Sequence, residues 1–524
     1  MRWMRARVGK ATSLGVIWEC RRRWAMAAGA AVLAAAVAGT ALVVPGIGGG
    51  TAERTAAAGP VRFLAKAGWG GTDPAFTPSR VADVIRARDL WRAGYRGQGV
   101  DVAVVDSGTV PVQGLAGKVV DGPDLSFERG DAALRARDTF GHGTHMASLI
   151  AGSADATDPT GAPVVGTWSG IAPSARLVSV KVATADGAAD VSQVVAAINW
   201  VVQHRQANGL NIRVLNLSFG TSSTQTYQLD PLAHAVELAW KSGIVVVTAA
   251  GNDGAAATRL DNPAVDPFVL AVGAEDPGID PQVKTDTVAD FSSRGNATRH
   301  ADLVAPGTSV LGLRDPGSAI DLAYPTAVVG ERFFKGSGTS QAAAVAAGAV
   351  ALLLSKRPTL TPDQVKRVLL TTAAPMLGAD QTSQGAGVLD VKRAADVTLP
   401  ATATQPFAAS TGLGSLEAAR GGAHVQLGGI DLTGEKDAFG AAWKPAVWAA
   451  AAGGKTTWTG GAAPSGGKWS TWAWLGSSLA GTTSSSSTTS SGGWSGRFWS
   501  GRYWSGGTWS ASDWSGRFWS GALW

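Results

Sequence analysis

Short valine-rich apolar runs recur along the middle of this chain, at 100–105, 176–182, 213–217, 244–249 and 268–272. Continuous apolar runs of this kind suit strands buried on both faces of a parallel sheet. Helical patterns lie between them, over 191–205 and 231–241. A long alanine-rich helix is expected from near Ser340 to about Leu354. Thr361-Pro362-Asp363 then reads as an N-cap and first turn for a helix over 362–373. Alternating strands and helices of these lengths predict a three-layer α/β domain with a mainly parallel central sheet.

The two ends of the chain have a different composition. Arg2, Arg5, Arg7, Lys10, Arg21, Arg22 and Arg23 supply much of the basic charge, which is +6 over the 524 residues. This basicity is a targeting feature and does not indicate nucleic-acid binding. Residues 24–44 carry no charge, and Pro45 ends the run. A positive region followed by an apolar core is an export signal. Small residues at Thr51-Ala52 and Ala56-Ala57-Ala58 offer cleavage sites, but about 20 apolar residues also suffice to cross a bilayer. Residues 1–58 are therefore a signal peptide or an N-terminal membrane anchor. In either case the rest of the chain is extracytoplasmic, secreted or held by residues 24–44. Cys20 is the only cysteine, so no intramolecular disulfide can form.

Residues 59–88 form a short polar lead-in, 89–398 the α/β domain, and 399–493 a linker rich in Ala, Gly, Ser, Thr and Trp. Thirteen of the 21 tryptophans lie in the last 82 residues. Trp494, Trp499, Trp504, Trp509, Trp514, Trp519 and Trp524 recur every five residues through 494–524. Serine follows each of them except the last. A period of five matches neither a helix nor a strand, so this low-complexity tail is assigned no regular structure. Its aromatics offer an envelope contact, by stacking on sugar rings or meeting apolar surfaces.

Three segments carry the chemistry: Val104-Val105-Asp106-Ser107-Gly108, Gly141-His142-Gly143-Thr144-His145 and Gly338-Thr339-Ser340-Gln341-Ala342. A serine hydroxyl is a poor nucleophile at neutral pH. It needs an imidazole to take its proton and a carboxylate to hold that imidazole in one tautomer. Asp106 follows a valine-rich run, which puts it at the C-terminal end of a strand, where open α/β sheets build their sites. His142 lies between two glycines that leave its ring accessible, at the start of a helix over 142–151. Ser340 falls at the first turn of its helix, where free N–H groups favour nearby negative charge. An esterase or lipase would want a Gly-x-Ser-x-Gly elbow with serine before histidine, and Ser340 shows neither.

The order Asp, His, Ser is the subtilisin order. Together with Gly170-Ile171-Ala172-Pro173-Ser174-Ala175, Leu215 to Gly220, Ala249-Ala250-Gly251-Asn252 and Asp302 to Gly307, it makes the chain resemble the subtilisin-like serine proteases from about Arg86 to about Val397. The resemblance implies a subtilisin-like fold and an exported serine endopeptidase with protein or peptide substrates. It implies Asp106, His142 and Ser340 as the triad, with His142 rather than His145 as base, and Asn252 as an oxyanion donor. It also implies Ser218-Phe219-Gly220 and Gly187 as the two edges between which a peptide lies as an added strand. Pro263 falls where family members carry a cis proline. The folded pro-domain common in the family has no room before the catalytic domain. No cofactor is required for the chemistry. Structural calcium is compatible with the family, but its ligands are unknown: Asp155 and Asp158 could offer carboxylates yet read as a solvated loop. Gln341 and Ala344 depart from the family's Met and Pro, and a buried Gln341 would need partners for its amide. The competing function is a surface binding protein that keeps the protease fold as a scaffold and binds through its tryptophan tail.

Overall fold

The computed structural model describes residues 78–278, 283–398, 403–422, 424–427, 430–438, 441–454 and 497–498. The apolar segment 24–44 and all of the tail repeat except 497–498 lie outside the described residues. The central sheet is built from β1 (Asp101–Asp106), β2 (Val119–Asp124), β3 (Arg176–Lys181), β4 (Ile212–Leu217), β6 (Val245–Ala249) and β7 (Leu270–Asp276). Its order is β2-β3-β1-β4-β6-β7, and every one of these pairs is parallel. A short β8 (Thr287–Val288) adds antiparallel to β7, and β9 (Leu303–Pro306) adds parallel to it. A two-residue strand, β5 (Phe219–Gly220), follows β4 and stands outside this sheet.

The valine runs became strands because both their faces are covered. All six residues of β1 and all five of β6 are buried. The helices fall where the periodicity puts them: His142–Ala151, Val191–His204, Pro231–Lys241, Thr339–Lys356 and Pro362–Thr372. Their starts are fixed by side chains that satisfy the free N–H groups of the first turn. Asp190 and Gln193 form a capping box, Asp230 accepts from Leu232 N and Ala233 N, and Thr361 pairs with Gln364 in a second box. Together they make the three-layer α/β fold that the alternation predicts.

Helix Thr339–Lys356 is the spine of the domain. It is buried from Thr339 through Leu354 and packs on β4, β6 and β7 and on helix His142–Ala151. Among the described residues it alone is long and apolar enough to span a membrane, and here it is a core helix. Gly348 permits its closest approach, since a Cβ there would lie 2.7 Å from the Ile171 side chain and 3.1 Å from Ile150 O.

Two boundaries differ from the composition-based expectation. The fold already includes helix Pro78–Val84, and Val81, Ala82 and Ile85 are buried, so the lead-in is partly core. The stretch read as a linker from 399 packs on the domain as far as Gly454. Arg420, fully buried, pairs with Asp190 at 2.7 Å and donates to Gly434 O. Trp448 is fully buried against His234, with ring centroids 5.3 Å apart. Thr221 Oγ1 donates to Ala419 O, which ties this extension to the residue after β5.

The Arg420–Asp190 pair yields a prediction. Removing one member of a buried ion pair strands the other charge and costs about 3–5 kcal/mol. Arg420→Ala should lower stability by about that amount, read from the midpoint of urea unfolding. An unchanged midpoint would mean that the extension contributes nothing to the fold.

Candidate active site

Asp106 ends β1, which has β3 on one side and β4 on the other. The chain leaves β1 for β2 and β3 and later crosses back to β4. This reversal opens a crevice at the C-terminal ends of the strands. Asp106 Oδ1 lies 2.8 Å from His142 Nδ1 and also accepts from Ser107 N at 2.8 Å. Both side chains are fully buried. Burial pushes the Asp106 carboxyl up, and the adjacent imidazole and the Ser107 N–H oppose that push.

The glycines beside His142 act differently from what the sequence suggests. They do not expose the ring, which has no accessible surface. They let backbones meet: a Cβ on Gly143 would sit 2.0 Å from Gly108 O, and one on Gly141, at φ 102°, would sit 2.4 Å from Ser318 Oγ. His145, one turn further on, uses Nε2 to contact Phe334 O at 3.0 Å. Burial pushes its pKa down to about 3, so it stays neutral at physiological pH.

Two supporting residues escaped the sequence reading. Asp138 accepts from Gly141 N and Thr144 N, both at 2.6 Å, and so caps the helix that carries His142. It also accepts from Ser107 Oγ at 2.7 Å, and Ser107 Oγ accepts from Gly143 N at 3.0 Å. The strand end and the helix start are thereby locked together. The available signal was an aspartate a few residues ahead of a predicted helix. Lys181, paired with Asp106 in the β1–β3 register, reaches Ser107 O at 3.0 Å and Arg137 O at 2.6 Å, and forms an ion pair with Glu128 at 2.9 Å. Nothing local in the sequence marks it.

Ser340 is the second residue of its helix and fully buried. Asn252, just past β6, accepts through Oδ1 from Thr339 N and Thr339 Oγ1, both at 2.9 Å. Its Nδ2 is buried and has no hydrogen-bond partner among the described residues. Ser218 Oγ donates to Ser340 O at 3.2 Å and receives a bond from Asn216 Nδ2 at 3.1 Å. Phe219 and Gly220 continue as β5, and Thr221 bridges to Asn262, whose bond to Pro263 is cis. Gly187, at φ 76°, stands against the Phe140 ring, which a Cβ would approach to 2.8 Å. Gln341 is fully buried, and neither its Oε1 nor its Nε2 has a partner among the described residues.

Among the described residues no group of three or more His, Cys, Asp or Glu side chains is placed to hold a metal ion. Asp155 pairs with Arg332 at 3.0 Å, and Asp158 accepts from Thr160 and Ala162 of its own loop. Each of these contacts uses Oδ1 alone.

The family model described as the Subtilase family matches residues 97–394. Serine protease AprX of Bacillus subtilis (strain 168) is 36% identical over 318 residues, covering 59% of this chain and 70% of that protein. Subtilisin DY of Bacillus licheniformis is 35% identical over 314 residues, covering 60% of this chain and 96% of that protein. The membrane-bound transcription factor site-1 protease of Rattus norvegicus is 32% identical over 329 residues, covering 60% of this chain and 27% of that protein.

Two measurements test the electrostatics of this crevice. With a folded pKa of about 3, His145 stays unprotonated while an unfolded histidine titrates near 6.5. The unfolded chain gains a proton that the folded chain refuses. Stability is thus full above about pH 6.5 and falls by up to ~1.4 kcal/mol per unit until about pH 3. Between pH 7 and pH 4 the wild type should lose about 3 kcal/mol more than His145→Gln; equal losses in urea unfolding would refute it. Gln341→Met should raise stability by about 1–3 kcal/mol, because it removes two unsatisfied buried polar atoms at similar volume. A destabilised Gln341→Met would show that the amide is in fact satisfied.

Proposed function

This chain belongs to the subtilase family and is a subtilisin-like serine protease, and on that premise we propose that it is an exported endopeptidase whose triad is Asp106, His142 and Ser340. The observation that carries the assignment is the buried 2.8 Å contact between Asp106 and His142 at the sheet's C-terminal edge, with Ser340 at the start of the spine helix.

The reaction follows from the roles of these groups. A peptide lies as an added strand between Ser218-Phe219-Gly220 and the Gly187 loop, held through its main chain. His142 takes the proton of Ser340 Oγ as the oxygen attacks the carbonyl carbon. Asp106 holds the imidazole in the tautomer whose Nε2 can accept and stabilises the imidazolium that forms. Negative charge moves onto the carbonyl oxygen. Two donors suit it: the Ser340 N–H, in the first turn of its helix, and Asn252 Nδ2, which is buried and has no hydrogen-bond partner among the described residues. Because Asn252 Oδ1 is tied to Thr339, its amide is oriented before any substrate arrives, which is the preorganisation that such donors need. The intermediate collapses to an acyl-serine, and His142 returns its proton to the leaving amine. Water then repeats the sequence and frees the carboxyl product.

Export rests on the seven basic residues named above and the uncharged run 24–44 that follows them.

Ser340→Ala should abolish hydrolysis of a chromogenic peptide and labelling by a serine-directed phosphonate while leaving the unfolding midpoint in place. Asn252→Ala should lower kcat by about 10²–10³ with little change in KM. Full turnover in Ser340→Ala, or an unchanged kcat in Asn252→Ala, would overturn the respective role.

A further inference from the structure

The tail of this chain reaches the cleft. Arg497–Phe498, inside the Trp-Ser-Gly repeat, forms a strand antiparallel to β5, with Arg497 opposite Gly220 and Phe498 opposite Phe219. These two strands make up a sheet of their own. The other side of this segment is closed at Thr221, which bridges to Asn262. Arg497–Phe498 therefore occupy one of the two edges between which an incoming peptide would lie. Ser340 and His142 have no accessible surface.

We propose that the C-terminal repeat is a tethered peptide ligand of the substrate edge, and that it holds the protease in an autoinhibited state until it is displaced. The inference rests on the proposed substrate edge at Ser218-Phe219-Gly220 and adds its resident occupant. Main-chain pairing explains how a segment of such simple composition can bind there, since an added strand is recognised chiefly through its backbone. The sequence supports repeated use of one element. Trp-Ser-Gly-Arg followed by Phe or Tyr and then Trp occurs at 494–499, 499–504 and 514–519. The paired residues Arg497 and Phe498 thus have counterparts in Arg502 and Tyr503, and in Arg517 and Phe518. About 40 residues rich in Ser, Thr and Gly separate Gly454 from Arg497. A tether of that composition holds its ligand at up to about millimolar effective concentration.

The test uses the full chain and a full-length variant in which Arg497, Phe498, Arg502, Tyr503, Arg517 and Phe518 are all changed to proline. Proline has no N–H to give to a ladder. Active sites are counted with the phosphonate, and kcat and KM are measured on a small chromogenic peptide. The expected result is a KM about 3- to 10-fold lower in the proline variant at unchanged kcat per site, as for removal of a tethered competitive ligand. The synthetic peptide Trp-Ser-Gly-Arg-Phe-Trp-Ser-Gly, added in trans, should restore the higher apparent KM competitively. Equal KM values together with no competition by the peptide would overturn the proposal. If neither chain takes the phosphonate or turns over, the protease assignment fails instead. Docking is then read directly, from binding of the fluorescein-labelled peptide to the proline variant that also carries Ser340→Ala. Saturable binding supports the tethered ligand, and its absence overturns it.

Discussion

A helix buried from Thr339 through Leu354 is stable only where every neighbour is protein, and that requirement organises this molecule. Alanines and Gly348 make the helix thin enough to lie between β4, β6, β7 and helix His142–Ala151. Its N-terminus must then emerge where those parallel strands end. Ser340 meets Ser218, just past the end of β4, for this reason, and Asn252, on the loop after β6, reaches Thr339 for the same reason. The parts of the site come from segments far apart in sequence, and one packing solution brings them to one edge.

Burial also sets the electrostatics. The Asp106 carboxyl is out of water, so its interactions with His142 and Ser107 are stronger than they would be at a surface. The same dryness would be hazardous for a loosely held group. Asp138 and Lys181 answer that hazard. Asp138 fixes the helix start and Ser107, and Lys181 fixes the Ser107 carbonyl next to Asp106 and the Arg137 carbonyl ahead of the helix that carries His142. Burial keeps His145, one turn further on, neutral, although its contact with Phe334 O opposes that push.

Much of this was legible in the sequence. The valine runs marked β1, β3, β4, β6 and β7 because a strand buried on both faces leaves no alternation to disguise it. Helix Pro231–Lys241 falls where its helical pattern lies, and the structure shows Asp230 and Pro231 fixing its start. Asp106, His142 and Ser340 stood out by residue type and order. Other features depend on distant partners. Arg420 meets Asp190 across 230 positions, and no local pattern announces that pairing. Composition alone made 399–493 look like a linker. Yet Trp448 and Arg420 pack as core residues as far as Gly454, because one tryptophan and one satisfied arginine can anchor an Ala/Gly-rich segment. Gln341 was visible as a departure, but only burial shows that its amide is left unsatisfied.

The strength of the tail contact can be bounded by its size. Two paired residues form few main-chain hydrogen bonds, each with a net value of about 0.5–1.5 kcal/mol. Two or three such bonds sum to about 1–4 kcal/mol, so a free peptide making only those contacts would bind no tighter than about 1 mM. Set against an effective concentration of the same order, one copy raises the apparent KM about twofold and three copies about fourfold. Tandem Arg-aromatic copies raise occupancy without strengthening any single contact. A weak, repeated strand therefore acts as an adjustable brake. A substrate with better side-chain fit displaces it, whereas a poorly matched peptide does not. A single tight inhibitory segment would have closed the cleft to both.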